Sequence, residues 1–369
     1  MMGMTELDRI RALRKKLHET PEGALHEEKT KEILLTFLKE ETDLEVFDRG
    51  LWFYALKRGS GLSDQSTIAF RADLDAVPLE EGGFAHLCGH DGHGAILAGL
   101  ALSLTGETPK RDVLLIFQPG EETGQGAALV MEERTEEKVF SNISEIYALH
   151  NIPGRPEGSI LIRHGTFACA SEGWEMRFKG EASHAAYPEK GKNPAMVMAH
   201  LIQGIEASLK ERTGGSILLS TVVGISLGGE AYGVSPGEGI LRLTLRGEDP
   251  EEFEAFKKMI RSLAREMCRE AGLGLEITRH DPFPPTVNDP ACLDHLESAA
   301  REAGLACLYP EEPFRWSEDF GHFLKKFPGA MLGLGSGEAC PPLHTRDYEF
   351  PDGILAAGLA LYRGLIGSC

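Results

Sequence analysis

The 369-residue chain has no surplus of basic residues: 38 Lys and Arg stand against 57 Asp and Glu, a formal net charge of -19. Nucleic acid and anionic membrane surfaces both reward an excess of Lys and Arg, so neither is an expected partner. No apolar window reaches the length needed to span a bilayer, and Met1 to Lys16 is charged and helix-like, without the apolar centre of a signal peptide. A cytoplasmic protein is expected. The seven cysteines are an odd number scattered along a long chain, which does not resemble a disulfide framework. Cys169, Cys268, Cys292, Cys307, Cys340 and Cys369 read as buried or surface thiols, leaving Cys88 as the exception. There is no internal repeat and no low-complexity tract. What remains is ordinary globular composition, 42% hydrophobic and 26% charged, at a length that exceeds what one core usually organises. Two domains are expected.

Three apolar runs organise the rest. Ile68-Ala69-Phe70 leads into Asp73 and Asp75, Val113 to Phe117 leads through Pro119-Gly120 into Glu121 and Glu122, and Ile146 to Leu149 leads into His150. Runs of this kind alternating with helical patterns read as buried, mainly parallel strands, and the alternation indicates a three-layer α/β domain. In such sheets the carboxyl ends of the strands share one edge, where ligands bind, so polar groups far apart in sequence meet there. Leu7, Ile10, Leu13 and Leu17 predict a helix over about 5–18 that stops at Pro21-Glu22-Gly23. A second helix is expected over 28–40, strand pattern over 45–57 and 66–72, and a small-residue helix from about Gly92 to Leu104.

Between about Ser171 and Arg279 the order changes to strand, helix, strand, strand, helix, strand, the ferredoxin-like arrangement. Trp174 to Phe178, Ile217 to Ile225, Gly239 to Arg246 and Leu275 to Ile277 are its strands, and 194–210 its first helix. The second helix starts at Asp249 as N-cap with Pro250 in the first turn, and buries Phe253, Phe256, Ile260, Leu263 and Met267. The Pro-rich stretch 281–285 marks a boundary, after which α/β character returns to a last apolar helix at 354–366. The expected organisation is a discontinuous domain, 1–170 with 280–369, interrupted by an insert at 171–279.

The chemistry-bearing residues gather where strands end. Cys88 and His90 are separated by a glycine, which lets the backbone turn so that sulfur and imidazole face one point. Thiolate, imidazole and carboxylate together suit borderline-soft divalent ions such as zinc, manganese or cobalt. A Glu-Glu pair is commonly a charged helix start, yet Glu121-Glu122 directly follows an apolar strand. One of them could bind metal while its neighbour accepts a proton from water, because adjacent side chains point in different directions. His150 ends a buried strand, and His344 follows Pro341-Pro342-Leu343; alone, each would read as a structural histidine. Asp75 is expected to orient a ligand from behind. His184, on the insert, could stabilise an oxyanion if that domain faces the metal. Glu318-Asp319 and Arg246 stay open between salt bridges and substrate contacts.

In order along the chain, the segments Ile10-Arg11-Ala12 with His18 and Pro21-Glu22, Arg71 to Pro78, Cys88 to His93, Gln118 to Glu122, Leu149-His150-Asn151, Ser183 to Ala186 with Pro188, Ser317 to Phe320, and Leu343-His344 resemble one family. It is the dimetal amidohydrolases, which include hippurate hydrolase, bacterial N-acyl-amino-acid amidohydrolases and plant auxin-conjugate hydrolases, within the carboxypeptidase/aminoacylase superfamily. The resemblance implies a zinc-peptidase-like catalytic domain with the insert as a lid that also supports dimers. It implies two divalent ions per chain (Mn, Zn, Co or Ni) on Cys88, His90, Glu122, His150 and His344, Glu121 as general base, and His184 near the scissile carbonyl. The chain departs from the family in a short segment between Pro78 and His86, and in Gly233-Val234-Ser235-Pro236 where relatives carry Asn-Val-Ile-Pro. Both departures bear on substrate choice. The expectation is hydrolysis of the amide bond of a small N-acyl amino acid or similar conjugate, without a covalent intermediate. A dipeptidase or carboxypeptidase of the same superfamily is the rival, and a noncatalytic metal-binding scaffold a more distant one.

Overall fold

Apolar runs that alternate with helices gain most by pairing side by side and covering both faces of the resulting sheet. In the computed structural model, which describes residues 5–61, 66–133, 138–213 and 215–367, these runs form the centre of a large sheet. Met1 to Met4 and Cys369 lie outside the described residues. Among the described residues the sheet has eight strands, in the order Glu45–Asp48, Phe53–Lys57, Asp112–Gln118, Thr67–Asp73, Ile143–Ile152, Gly329–Gly335, Ile160–Leu161 and Cys307–Leu308. The four longest neighbours, from 112–118 to 329–335, run parallel, with Phe70 opposite Leu115 and Tyr147. Their carboxyl ends therefore lie along one edge.

Thr67–Asp73 and Gly329–Gly335 are buried along their whole length, as strands covered on both faces must be. The helix His90–Ser103 packs on Thr67–Asp73 and against the helices Glu6–His18 and Leu355–Gly367. It is built of Gly, Ala, Leu and Ile, which lets it sit with nearly every residue out of water. It starts two residues earlier than the sequence pattern suggests, so His90 and Asp91 belong to its first turn. The strand pattern over 45–57 is two antiparallel strands, Glu45–Asp48 and Phe53–Lys57. Asp48 breaks it by accepting the Gly50 amide at 3.0 Å, and Gly50 takes φ +82 in the turn.

Backbone contacts divide the chain into two compact units, Met1–Phe167 with Thr286–Pro313 and Asp319–Cys369, and Ala168–Pro285 with Phe314–Glu318. Among the described residues, the second unit has a four-stranded antiparallel sheet in the order Leu218–Leu227, Glu238–Gly247, Ala170–Lys179, Gly274–Phe283. With its helices Ala195–Lys210 and Pro250–Ala271, that order makes a ferredoxin-like fold. Trp174, Met176, Phe178, Leu201, Leu241, Leu243, Phe253 and Ile260 share its core. Asp249 caps the long helix by accepting the Glu252 amide at 2.8 Å, a bond of about 1 kcal/mol. Among the described residues, no helix is long and apolar enough to cross a membrane.

Candidate metal centre

The parallel strands deliver the expected residues to one edge. Thr67–Asp73 ends on Asp73 with Asp75 just beyond, Asp112–Gln118 runs through a turn into Glu121-Glu122, and Ile143–Ile152 carries His150 near its end. Cys88 and His90 flank Gly89, which has φ +92 and stands at the start of the helix His90–Ser103. A Cβ on Gly89 would lie 2.3 Å from Asn151 Oδ1 and 2.7 Å from the Tyr348 hydroxyl, so both the backbone angle and the space require glycine. His344, itself at φ +62, is tied to the same loop by its amide, which donates to the Leu87 carbonyl at 2.8 Å.

The donor atoms converge. Cys88 Sγ lies 3.5 Å from His150 Nε2 and 3.4 Å from His344 Nε2. Glu122 Oε1 lies 3.4 Å from His344 Nε2 and 4.0 Å from His90 Nε2. Cys88, His90 and His150 form one cluster able to hold a cation, Cys88, Glu122 and His344 a second, and His90, Glu121 and Glu122 a third, with donor atoms in each within 4.8 Å of one another.

Backbone and carboxylate contacts decide which imidazole nitrogen faces the cluster. His90 Nδ1 lies 2.9 Å from the Asp75 carbonyl and 3.2 Å from Asp75 Oδ1, both acceptors, so Nδ1 carries a proton and Nε2 is the nitrogen left facing the cluster. His150 Nδ1 is fixed likewise by the Asn151 carbonyl at 2.9 Å. Among the described residues, the buried His90 Nε2 has no hydrogen-bond partner, and Glu122 Oε1, 4.0 Å from it, faces the His344 imidazole. An imidazole nitrogen and a carboxylate oxygen facing one another out of water are donor types that suit a divalent ion, so the donor set fits a metal.

The electrostatics favour cations. Burial alone would lower the His90 imidazole, but Asp73, Cys88 and Asp75 raise it well above its usual value. Hydrogen bonds to Cys88 and Glu122 push His344 up to about 10. Burial raises Glu122, yet His344 and His90 outweigh it and hold the carboxylate low. Burial pushes the Cys88 thiol up, and burial with the neighbouring His93 pushes His150 well below its usual value. Acidic donors gathered out of water in this way stabilise any cation placed among them.

Glu121 is 6% exposed, and its Oε1 accepts the Asp319 amide at 3.3 Å. Asp319 is a buried salt-bridge partner of Arg71, at 2.6 Å from Nη2, and accepts the Ala127 amide at 2.8 Å. Arg246 donates to the Arg315 carbonyl and the Ser317 hydroxyl. His184 belongs to the second unit, in a two-residue strand paired with Val234-Ser235, and its side chain is exposed.

Beyond Asp75, sequence reasoning missed the support behind the donors. His93 Nδ1 lies 2.6 Å from Asp73 Oδ1 and its Nε2 2.6 Å from Asn151 Oδ1, and Asn151 donates to the Tyr348 hydroxyl at 2.6 Å. Arg71 joins Asp73 at 2.8 Å, Gln118 at 2.8 Å and Asp319. The available signal was an arginine inside an otherwise apolar strand, two residues before an aspartate on the same face.

Known proteins agree with this architecture. An N-acetyldiaminopimelate deacetylase of Enterococcus faecalis is 28% identical over 100% of this chain and 99% of its own. An N-acetyl-L-cysteine deacetylase of Bacillus subtilis is 28% identical over 88% of this chain and 79% of its own. The crystal structure of the Bacillus subtilis YXEP protein, described as a dinuclear metal binding peptidase from the M20 family, superposes with a TM-score of 0.83 at 25% identity, covering 98% of this chain and 97% of that one. Residues 69–368 match the description Peptidase family M20/M25/M40, and the chain belongs to that family.

Proposed function

We propose that this protein is a dimetal amidohydrolase that cleaves the amide bond of small N-acyl amino acids or similar conjugates. Cys88, His90, Glu122, His150 and His344 would hold two divalent ions, of Mn, Zn, Co or Ni. Bound there, the ions supply Lewis acidity and an activated water. Asp75 keeps the His90 lone pair aimed at the cluster through its two contacts to Nδ1. Glu121 serves as general base, accepting the proton of the attacking water and returning it to the departing amine. The observation that carries this reading is a buried acid, Glu121, standing next to a five-donor cluster.

The second unit is assigned the role of lid and dimerisation element. His184 Nδ1 accepts the Ala186 amide at 3.0 Å, which puts its proton on Nε2 and makes that nitrogen a donor suited to an oxyanion. Support for a dimer is the outer strand Leu218–Leu227, where Val223 is 60% and Ile225 57% exposed. Cytoplasmic residence belongs to the same reading, since a Cys88 ligand must stay reduced.

The names of the two relatives, deacetylases of N-acetyldiaminopimelate and of N-acetyl-L-cysteine, support an N-acyl amino acid as the substrate class. The test is a panel of N-acetyl, N-benzoyl and N-succinyl amino acids beside dipeptides, run with manganese, zinc and cobalt. Metal-dependent turnover concentrated on acyl amino acids is expected. Preference for dipeptides would make the protein a peptidase, and no turnover with any metal would leave a binding scaffold.

A further inference from the structure

The main chain on either side of Glu121 is held by two different acids. After it, the Glu122 amide donates to Asp75 Oδ2 at 2.9 Å. Before it, the Gly120 amide donates to Glu27 Oε1 at 2.7 Å. Asp75 already belongs to the site through His90, whereas Glu27 arrives from 93 positions away, at the head of the helix Glu28–Glu41. It is only 4% exposed, and burying a carboxyl is costly unless the group has partners that need it.

Those partners are unusual. The same Oε1 accepts the Leu25 amide at 3.1 Å, and Leu25 has φ +63, a left-handed conformation that a branched side chain rarely adopts. Gly120 sits at φ +65, and a Cβ on it would fall 2.7 Å from Leu25 Cδ2. The Gly120 carbonyl accepts the Gly126 amide at 3.1 Å, closing the turn from the other side. One carboxyl oxygen thus ties a strained residue to the turn from which Glu121 projects.

We propose that Glu27 is a positioning residue: by joining the Gly120 and Leu25 amides it fixes the direction in which Glu121 presents its carboxylate. The proposal rests on the assignment of Glu121 as the base. Burial, and then the Asp75 carboxylate, push the Glu27 carboxyl up to about 7, so a neutral acceptor suits the position and glutamine is a close substitute. Alanine removes the acceptor, and aspartate keeps the acid but shortens its reach.

The test compares Glu27→Ala, Glu27→Asp, Glu27→Gln, Glu121→Gln and the double variant Glu27→Ala/Glu121→Gln, full length and metal-loaded, on the acyl amino acid the wild type turns over best. Metal stoichiometry, thermal midpoint, kcat and KM are read for each. Glu27→Ala and Glu27→Asp should lower kcat about 10- to 100-fold with KM little changed and metal retained, the scale expected when a reacting group is misplaced. Glu27→Gln should recover most of that loss, and Glu27→Ala should cost nothing further once Glu121 is gone. Should alanine prevent folding, the aspartate variant carries the comparison. Wild-type kcat in Glu27→Asp, equal loss in Glu27→Gln and Glu27→Asp, or an additive loss in the double variant overturns the positioning role while the base assignment stands. Wild-type turnover in Glu121→Gln removes the base assignment, and this proposal with it.

Discussion

Asp75 and His90 form the hinge of the site: Asp75 Oδ1 lies 3.2 Å from His90 Nδ1 while Asp75 Oδ2 accepts the Glu122 amide at 2.9 Å. One carboxylate thereby sets both an imidazole and the backbone of the neighbouring donor. In Asp75→Asn one of the two oxygens becomes an NH2 group, which faces an N–H whichever way the amide turns. Metal affinity should fall about 10- to 100-fold, the usual consequence of losing a partner behind a ligand. Titration of the apo-protein against a competing chelator measures this, and unchanged affinity would detach Asp75 from the metal site.

Gly89 offers a steric test of the same region. In Gly89→Ala the new Cβ meets Asn151 Oδ1 and the Tyr348 hydroxyl in a backbone conformation at φ +92 that alone costs about 1–3 kcal/mol. Thermal midpoint and metal affinity should drop together, because Gly89 separates Cys88 from His90. A variant with both values intact would mean the loop relaxes freely.

The gathering of Glu121, Glu122 and His150 was legible in the sequence because each follows an apolar strand, and a parallel sheet brings such ends to one edge; Cys88 and His344 follow no such run. Of the supports, Asp75 was legible and the others were not. His93 sits in the same string as Cys88 and His90, yet nothing in the string says that its two nitrogens are taken by Asp73 and Asn151. Leu25 at positive φ gave no signal, since leucine is not a turn residue, and without it the Glu27–Gly120 contact could not be foreseen. The turn at Asp48-Arg49-Gly50 was readable, and was overridden by the strand-like residues on both sides.

A pH-dependent ion-pair network stabilises the second unit. Glu172 accepts from Trp174 Nε1 at 2.6 Å, Lys257 Nζ at 3.0 Å and Arg279 Nη2 at 2.7 Å. Burial would raise its carboxyl, but the bonds from Arg279, Trp174 and Lys257 outweigh burial and hold it below the usual value. Its contribution is therefore present above the unfolded carboxyl value of about 4.3 and fades as pH falls toward the lower folded value. Glu172→Ala leaves Lys257 without its buried partner, at a cost of about 3–5 kcal/mol. Urea midpoints should show this gap from wild type at pH 7 and a narrowing gap below about pH 4. An equal gap at both values would rule out the charge.

His184 offers a test of the proposed oxyanion role apart from metal binding. With Nδ1 accepting the Ala186 amide, the donor Nε2–H is what alanine removes. In His184→Ala, kcat should fall about 10²-fold with metal content unchanged, the scale for losing one oxyanion donor. Steady-state kinetics beside elemental analysis decides it, and loss of metal or an unchanged kcat would end the assignment.

The central claim divides labour between two adjacent acids, and it is tested by metal stoichiometry and kcat measured together on Glu121→Gln and Glu122→Gln. Glutamine keeps size and polarity but cannot take a proton, so Glu121→Gln should retain its metal while turnover falls roughly 10²-fold or more. Glu122→Gln should weaken metal binding as well as turnover, because it replaces a charged donor atom. Metal lost at residue 121 and retained at 122 would contradict the account and exchange the two roles.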